Sequence, residues 1–331
     1  MYTSYDNIGL LKVLKFLKSH KDEFLSGQDL SDVLKISRVA VWKHIKTIKS
    51  LGYKIDSKQK LGYKLVKNSE KLLPWEITDG LETKIIGKKV YYFDTIDSTQ
   101  NFAMELSDKK NESGSVVISQ RQTAGRGRMN RKWITVRGGI SISIVLHPRF
   151  DISVSTLFPM AASLALSTAI KKTLNLRSNV KWPNDVVIMG KKVAGIIVDA
   201  SIESNLIEYM VLGVGINFKV DAKNLETQLK GTENFYGITS LLQTNNNTTP
   251  IELVQDFLFE LEKIITLLDQ GKTNNIIQRW QKISSTIGNR VSVKTHDRIV
   301  TGIATKINSD GSLNIVKNGK VEKLLVGDVS I

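Results

Sequence analysis

Apolar residues at Leu10, Leu11, Leu14 and Leu17 make one stripe of a helix over Ile8–Ser19, which ends in the polar run Lys18-Ser-His-Lys21. A second, short helix fits Gln28–Lys35, with Leu30, Val33 and Leu34 turned inward. Ser37 is placed to cap a third helix running to Leu51, with Gly52 in the stop position. Its Val41, Ile45, Ile48 and Leu51 recur at intervals of four, three and three residues and define a buried face, leaving Arg38, Trp42, Lys43, Lys46 and Lys49 outside. Tyr53–Ile55 and Gly62–Val66 read as two strands around the basic tip Asp56–Lys60. Three helices followed by a two-stranded ribbon is the pattern of a winged helix-turn-helix, which lays its third helix in the major groove of DNA. A small helical interaction domain with a solvated outer face would show the same periodicity.

Asn68–Pro74 is polar and ends at a proline, so it reads as a linker into a larger domain. From Lys89 to Ala200, β-rich runs (Val90–Phe93, Ser115–Ser119, Ile140–Leu146, Val186–Met189, Val193–Val198) alternate with helical ones (Asn101–Ser107, Leu157–Leu174). This predicts a mixed α/β domain. A further strand, Glu208–Val214, precedes Gly215-Ile-Asn217, and Thr249-Pro250 caps a long helix with core positions Leu253, Phe257, Leu261, Ile264 and Leu268. After Ile287-Gly288 short strands alternate with turns, among them the hairpin signals Asp310-Gly311 and Asn318-Gly319, which suggests a small β-barrel. The expected architecture is an α+β multidomain chain: a winged helix-turn-helix over 1–67, a linker over 68–80, a mixed α/β domain over 81–282, and the barrel over 283–331.

Charge sharpens the reading of the first domain. The net charge is +15, and residues 1–67 hold 14 Lys plus Arg against 6 Asp plus Glu, so 14 − 6 = +8 of it lies in the first fifth of the chain. An acidic partner such as nucleic acid or nucleotide is implied, the alternative being that the charge serves general solubility. Zero cysteines exclude disulfides, thiolate nucleophiles and Cys-ligated zinc. The four histidines, at 20, 44, 147 and 296, are too scattered to suggest a metal site. The weakly polar stretch Leu157–Ile170 contains Pro159, Ser163 and Ser167 and falls short of a bilayer span, and Met1–Gly9 does not read as a secretory signal. A cytoplasmic protein without membrane association is expected.

Three segments could carry chemistry. Gly125-Arg-Gly127-Arg128 lacks the third glycine of a dinucleotide fingerprint, and no P-loop occurs. Its glycines allow close approach of backbone to a ligand, and its guanidiniums offer forked donors to phosphate or carboxylate. An exposed basic loop is the bland alternative. Lys181-Trp-Pro-Asn-Asp185 sets an amide and an acid beside Lys191 and Lys192, a set able to organise Mg²⁺-bound nucleotide phosphates, or simply a turn. Asp97-Ser-Thr-Gln100 could supply hydroxyls and an amide to a small polar ligand while capping the helix that follows.

Taken together, Asp97-Ser-Thr-Gln100, Gln122-Thr-Ala-Gly-Arg-Gly-Arg128 with Trp133, Lys181-Trp-Pro-Asn-Asp185, Lys191-Lys-Val-Ala-Gly195 and Gly213-Val-Gly-Ile-Asn217 resemble the bifunctional biotin–protein ligase and biotin-operon repressor family. Ser37-Arg-Val-Ala-Val-Trp-Lys-His-Ile45 resembles that family's recognition helix, and the C-terminal segment resembles its SH3-like β-barrel. The resemblance implies that biotin and ATP give biotinyl-5′-AMP and pyrophosphate, after which biotin passes to a lysine of a carboxylase biotin domain or biotin carboxyl carrier protein. It also implies operator DNA as a partner, a homodimer when biotinyl-AMP is bound, and Mg²⁺ with the ATP. By position, Ser98, Thr99, Gln100 and Gln122 would meet the biotin head, and Arg126, Gly127 and Arg128 would line a ligand-ordered loop. Lys192 would bridge carboxyl and phosphate, and Trp133, Lys181, Asn184, Asp185 and Asn217 would surround the nucleotide. Lys192, Arg128 and Asp185 are the expected catalytic set. Asp185 is the candidate magnesium ligand, with no dedicated metal site expected, and Ser37, Arg38, Lys43, His44 and Lys46 are the expected DNA contacts. Met129 and Asn130 stand where the familiar form of the loop has Arg and Gly. Rival readings are a lipoate–protein ligase, a transcription factor that only senses a ligand, and a ligase without operator recognition.

Overall fold

The computed structural model describes residues 7–129, 131–204, 206–229, 236–244, 246 and 248–330. Helices α1 (Ile8–Ser19), α2 (Gly27–Leu34) and α3 (Arg38–Ser50) lead into an antiparallel ribbon of β1 (Lys54–Lys58) and β2 (Gly62–Lys67). Each helix starts on a polar cap. Asn7 accepts the Leu10 N–H, Ser26 and Asp29 form a reciprocal capping box, and Ser37 accepts the Ala40 N–H at 3.2 Å. Leu10, Val13, Leu14 and Leu17 of α1 pack with Leu30, Val41, Ile45 and Ile48, and the ribbon adds Ile55 and Leu65.

Two details depart from the periodicity. Val33 is 56% exposed, because an eight-residue helix meets the core along one narrow stripe, here Leu30 and the half-buried Leu34. The ribbon is longer than expected, with Asp56, Ser57 and Lys58 paired to Lys64, Tyr63 and Gly62, so the turn shrinks to Gln59-Lys60-Leu61.

The segment expected as a linker is packed. Ser69, Leu72 and Leu73 are buried, and Pro74 opens a short helix α4 (Pro74–Thr78). Glu76 on α4 accepts from Lys18 Nζ at 2.6 Å and from the Tyr53 hydroxyl, which in turn accepts from Trp75 Nε1 at 2.6 Å. These bonds fasten the winged-helix unit to the larger domain.

That domain is built on seven strands: β3 (Val90–Ile96), β4 (Val116–Gln122), β5 (Gly139–Leu146), β6 (Asn179–Lys181), β7 (Asp185–Ile188), β8 (Lys191–Glu203) and β9 (Leu206–Asn217). They lie in the order β3-β4-β5-β9-β8-β7-β6, with β3 and β4 parallel and the other neighbours antiparallel. Both faces are covered. Val117, Val145 and Val211 turn to α5 (Thr99–Ser107), while Val116, Ile118, Ile144 and Leu212 turn to the main core. That core holds α6 (Phe158–Leu174), α8 (Ile251–Asp269) and α9 (Thr273–Lys282), and α7 (Ala222–Leu229) packs separately through Leu225. Leu253, Phe257, Leu261, Ile264 and Leu268 of α8 are all buried, as their spacing requires. The α6 region, Ile152–Leu174, is long and apolar enough to cross a membrane by composition alone, longer than the sequence pattern indicated, but 61% of its apolar window is buried in the fold.

The last unit is an antiparallel sheet ordered β13-β12-β11-β10-β14, made of β10 (Arg290–Lys294), β11 (Ile299–Ile307), β12 (Leu313–Lys317), β13 (Lys320–Leu324) and β14 (Asp328–Ser330). Asn318 and Gly319 both take positive φ in the two-residue turn between Lys317 and Lys320, the hairpin that an Asn-Gly pair encodes. Trp182 Nε1 donates to Gly311 O at 3.0 Å and Trp182 N to Thr286 Oγ1 at 3.0 Å, which seats this sheet against the turn between β6 and β7.

Candidate active site and nucleic-acid interface

A cavity of about 830 Å³ opens over the middle of the seven-stranded sheet. Ser98, Thr99, Gln100, Gln122, Arg126, Gly127, Arg128, Trp133, Lys181, Asn184, Asp185, Lys192 and Asn217 all line it. Residues up to 119 positions apart in sequence are thus brought to one place.

At one end the lining is neutral and hydrogen-bonded. Ser98 Oγ caps α5 by accepting the Gln100 N–H at 3.2 Å, so the helix begins earlier than its apolar pattern suggests and stations Thr99 and Gln100 in its first turn. Gln122 Oε1 accepts from Thr99 N (2.7 Å) and Thr99 Oγ1 (3.0 Å). Ser143 Oγ lies 2.9 Å from Thr99 Oγ1 and donates to Gln100 Oε1 at 2.9 Å. Gln100 Nε2 donates to Asp199 Oδ2 at 3.1 Å and to the Val211 carbonyl at 2.9 Å. Such a network holds amide and hydroxyl groups in fixed directions, which is what recognition of a small polar head requires.

Glycines make the room between the two ends. A Cβ at Gly215 would lie 2.2 Å from Trp133 Cε2, and one at Gly213 would lie 2.5 Å from Gln100 Oε1. The Gly213-Val-Gly215 spacing on β9 is therefore a strand face stripped of side chains so that the indole and the Gln100 amide can approach the backbone.

The Gly125–Trp133 segment folds back on itself. Trp133 N donates to Gly125 O at 2.9 Å, and Gly127 N donates to Arg131 O at 2.8 Å. Arg128, near the tip, is half-buried and donates to Asn184 Oδ1 at 2.9 Å, whereas the more exposed Arg126 reaches Asn101 Oδ1 at 3.2 Å and Asp199 at 3.6 Å. Arg131 pairs with Asp328 of β14 at 2.8 Å. Met129, with φ of 52°, is exposed, and Asn130 lies outside the described residues.

The other end is cationic. The antiparallel pair Lys181 and Asp185 flanks the turn between β6 and β7, and Lys192 Nζ sits 2.6 Å from Asp185 Oδ1. Burial works to raise the Asp185 carboxyl, but Lys192 and the Tyr236 hydroxyl outweigh it and hold the group below the usual carboxylate range. Lys181 is only 5% exposed, and burial pushes its ammonium down to about 8 despite Asp185. Its Nζ lies 3.1 Å from the centroid of the Tyr236 ring. Among the described residues no group of three or more His, Asp or Glu side chains could hold a metal ion.

Several lining residues escaped the sequence analysis. Ser141 and Ser143 carry a usable signal, small polar residues at period two in an otherwise apolar strand. Tyr236 follows no periodic segment, and Asp328 belongs to a different unit of the fold; Asp199, which accepts from Gln100 behind the lining, continues β8 past its apolar run.

On the winged-helix unit, Arg38, Lys43 and Lys46 are exposed on one side of α3, with Lys46 Nζ 5.5 Å from the ring centroid of Trp42, itself 54% exposed. Lys49 Nζ donates to Ser57 Oγ at 2.8 Å and links helix to ribbon. Ser37 is occupied as the N-cap. His44 does not join this face. Its ring is half-buried against α1, where a Cβ on Gly9 would come within 2.7 Å of Nε2, and burial lowers its pKa.

The profile of the Biotin/lipoate A/B protein ligase family matches residues 92–217, and that of an HTH domain matches residues 10–64. The bifunctional ligase/repressor BirA of Bacillus subtilis (strain 168) is 31% identical over 312 residues, 94% of this chain and 94% of that protein. The chain belongs to the bifunctional ligase/repressor family. The bifunctional ligase/repressor BirA of Escherichia coli (strain K12) is 26% identical over 98% of each chain. A solved structure titled as the biotin protein ligase from Aquifex aeolicus in complex with biotin and ATP shares the fold with TM-score 0.61 at 22% identity, covering 73% of this chain and 98% of that one. As in the family's name, this chain couples two units, a helix-turn-helix and a ligase domain built around the cavity.

Proposed function

We propose that the chain activates biotin with ATP to biotinyl-5′-AMP, transfers biotin to a lysine of a carboxylase biotin domain or biotin carboxyl carrier protein, and represses biotin-synthesis and transport genes as a loaded dimer on operator DNA. The observation that carries this reading is the two-ended cavity: a neutral hydrogen-bonded floor and a cationic wall face one another across the glycine-cleared strand.

The neutral end, with Ser98, Thr99, Gln100 and Gln122, suits the uncharged ureido head, and Arg126, Gly127 and Arg128 cover the bound intermediate. Trp133 flanks the adenine, with Lys181, Asn184, Asp185 and Asn217 around the nucleotide. In the first step a biotin carboxylate oxygen attacks the α-phosphorus, a new P–O bond forms, and the bond to pyrophosphate breaks with its electron pair. Both reactants are anions, so Lys192 and Arg128 offset their repulsion. The acceptor lysine's amine then attacks the acyl carbon and AMP departs, so no covalent enzyme intermediate is needed. Magnesium would enter with ATP and offset phosphate charge, and Asp185, the candidate carboxylate for it, would have to release Lys192 or the Tyr236 hydroxyl, which engage its two oxygens, to hold the ion.

Folding of the C-terminal sheet into an SH3-like barrel, the division at 67, 80 and 282, and a cytoplasmic location belong to the same proposal. So does the dimer. If biotinyl-AMP favours dimers and dimers bind two half-sites, ligand and DNA affinities must rise together. Biotin-dependent ATP–pyrophosphate exchange with lipoate as control ligand tests the enzyme: exchange with biotin alone is expected. Absence of exchange with either acid leaves a ligand-sensing DNA-binding protein.

A further inference from the structure

The cationic end contains one side chain that neither the motifs nor the proposed chemistry uses. Tyr236 lies between α7 and the bridge that joins Ile238 to Lys192. Its hydroxyl donates to Asp185 Oδ2, while Lys192 occupies Asp185 Oδ1 at 2.6 Å. Its ring face carries the Lys181 ammonium at 3.1 Å. One residue therefore touches both members of the Lys181/Asp185 pair and, through Asp185, sets Lys192.

The consequences follow from hydrogen-bonding capacity. A carboxylate free to rotate can offer both oxygens to a neighbouring ammonium and draw it away from a ligand. With Oδ2 engaged by a neutral hydroxyl, Asp185 offers Lys192 a single oxygen as its ion-pair partner, and Lys192 itself lines the cavity. The hydroxyl stays protonated, since burial and the adjacent Asp185 both raise its pKa. The ring meanwhile gives the buried Lys181 an electron-rich face in place of water. A phosphate oxygen, being a full charge, displaces that contact when nucleotide arrives.

From this geometry we infer that Tyr236 is a positioning residue for adenylation: its hydroxyl aims Lys192 through Asp185, and its ring holds Lys181 in place for nucleotide phosphate. The inference rests on the nucleotide occupying the cationic end, as proposed above.

The test uses the full-length chain, ATP, biotin and magnesium in steady-state ATP–pyrophosphate exchange, with Tyr236→Phe and Tyr236→Leu. Phe keeps the ring and loses the hydroxyl, so kcat is expected to fall about tenfold or more while KM for ATP moves by less than about threefold. Leu loses both, and KM for ATP is expected to rise about tenfold in addition. KM for biotin stays within about twofold in both variants, because the head binds at the far end. Wild-type kcat in Tyr236→Phe overturns the inference. A parallel rise in KM for biotin and ATP also overturns it, since that marks general loosening of the site. If the wild-type chain shows no biotin-dependent exchange, the adenylation reading itself fails, an outcome distinct from an active wild type with indifferent Tyr236 variants.

Discussion

Lys43 and Lys181 are the same side chain under opposite conditions. Lys43 stands in water on α3 beside Arg38 and Lys46, whereas Lys181 is buried at the end of a short strand against an aromatic ring. In water a cation costs little to keep and its attraction to an anion is screened by salt. Inside the cavity the same cation is expensive to keep, and its attraction is correspondingly strong. The difference suits the two partners proposed for these lysines. A DNA backbone is a long polyanion met by many weak contacts, and a triphosphate is a compact one met by a few strong ones.

The largest effect should come from removing the buried cation. Lys181 gives up its proton at about 8 when folded but near 10.5 when unfolded. Below pH 8 both states hold the proton, and the folded state bears the full cost of the buried charge. Between pH 8 and 10.5 the unfolded chain binds more protons, so stability rises with pH until the cost is gone. Lys181→Met is therefore expected to be more stable than wild type by up to about 3 kcal/mol at pH 7, with the advantage closing as the pH approaches 10.5. The same variant should lose ATP affinity by about a hundredfold at pH 7, the loss of one charge-assisted phosphate contact. In the wild type ATP affinity should decline as the pH passes about 8, because the neutral amine no longer attracts phosphate. Urea unfolding at pH 7 and 10 together with calorimetric ATP titration checks all three. A destabilised Lys181→Met protein would mean that the ring contact outweighs burial and that the contrast with Lys43 is false.

Salt sharpens the contrast from the other side. Replacing Arg38, Lys43 and Lys46 together by alanine should flatten the slope of log affinity for DNA against log salt by about 2 to 3, as expected when up to three phosphate contacts vanish. ATP binding in the cavity should change far less over the same salt range, since buried pairs are weakly screened. Fluorescence anisotropy on a duplex selected from random sequence by the loaded protein measures the slope. An unchanged slope would remove α3 from the phosphate backbone.

How much of this was legible beforehand also divides between the two regions. The winged-helix unit is local: Val41, Ile45 and Ile48 declare their face by spacing alone, and Ser37 declares the cap. The cavity is not local, and Gln100, Gln122, Lys192 and Asn217 could be gathered only through a family resemblance, because no periodicity links four separate segments. What neither route reached depends on tertiary pairing. Glu76 turns a polar-looking linker into a packed joint through Lys18 and Tyr53, and Tyr236 acquires a role only because the chain returns beside Lys192. Val33 shows the converse limit. Its spacing from Leu30 satisfies a helical stripe, but α2 is too short to bury both flanks.

His44 gives the smallest effect and the finest division of the α3 surface. Sequence spacing places it between Lys43 and Lys46, and a protonated imidazole there would add a fourth cation toward DNA. The structure turns its ring to Gly9 of α1, and burial lowers its pKa, which works against protonation as the pH falls. An exposed histidine in that position would strengthen DNA binding as the pH falls from 7.5 to 6. With the ring packed, DNA affinity at fixed salt should vary less than about twofold over that range, and His44→Asn should shift it by no more than that at pH 7. The cost should appear instead in folding, as a loss of roughly 1 kcal/mol where the ring leaves α1. Anisotropy titrations at pH 6 and 7.5, paired with thermal unfolding, separate the two. A gain in affinity at pH 6 that disappears in His44→Asn would put the imidazole back on the DNA face.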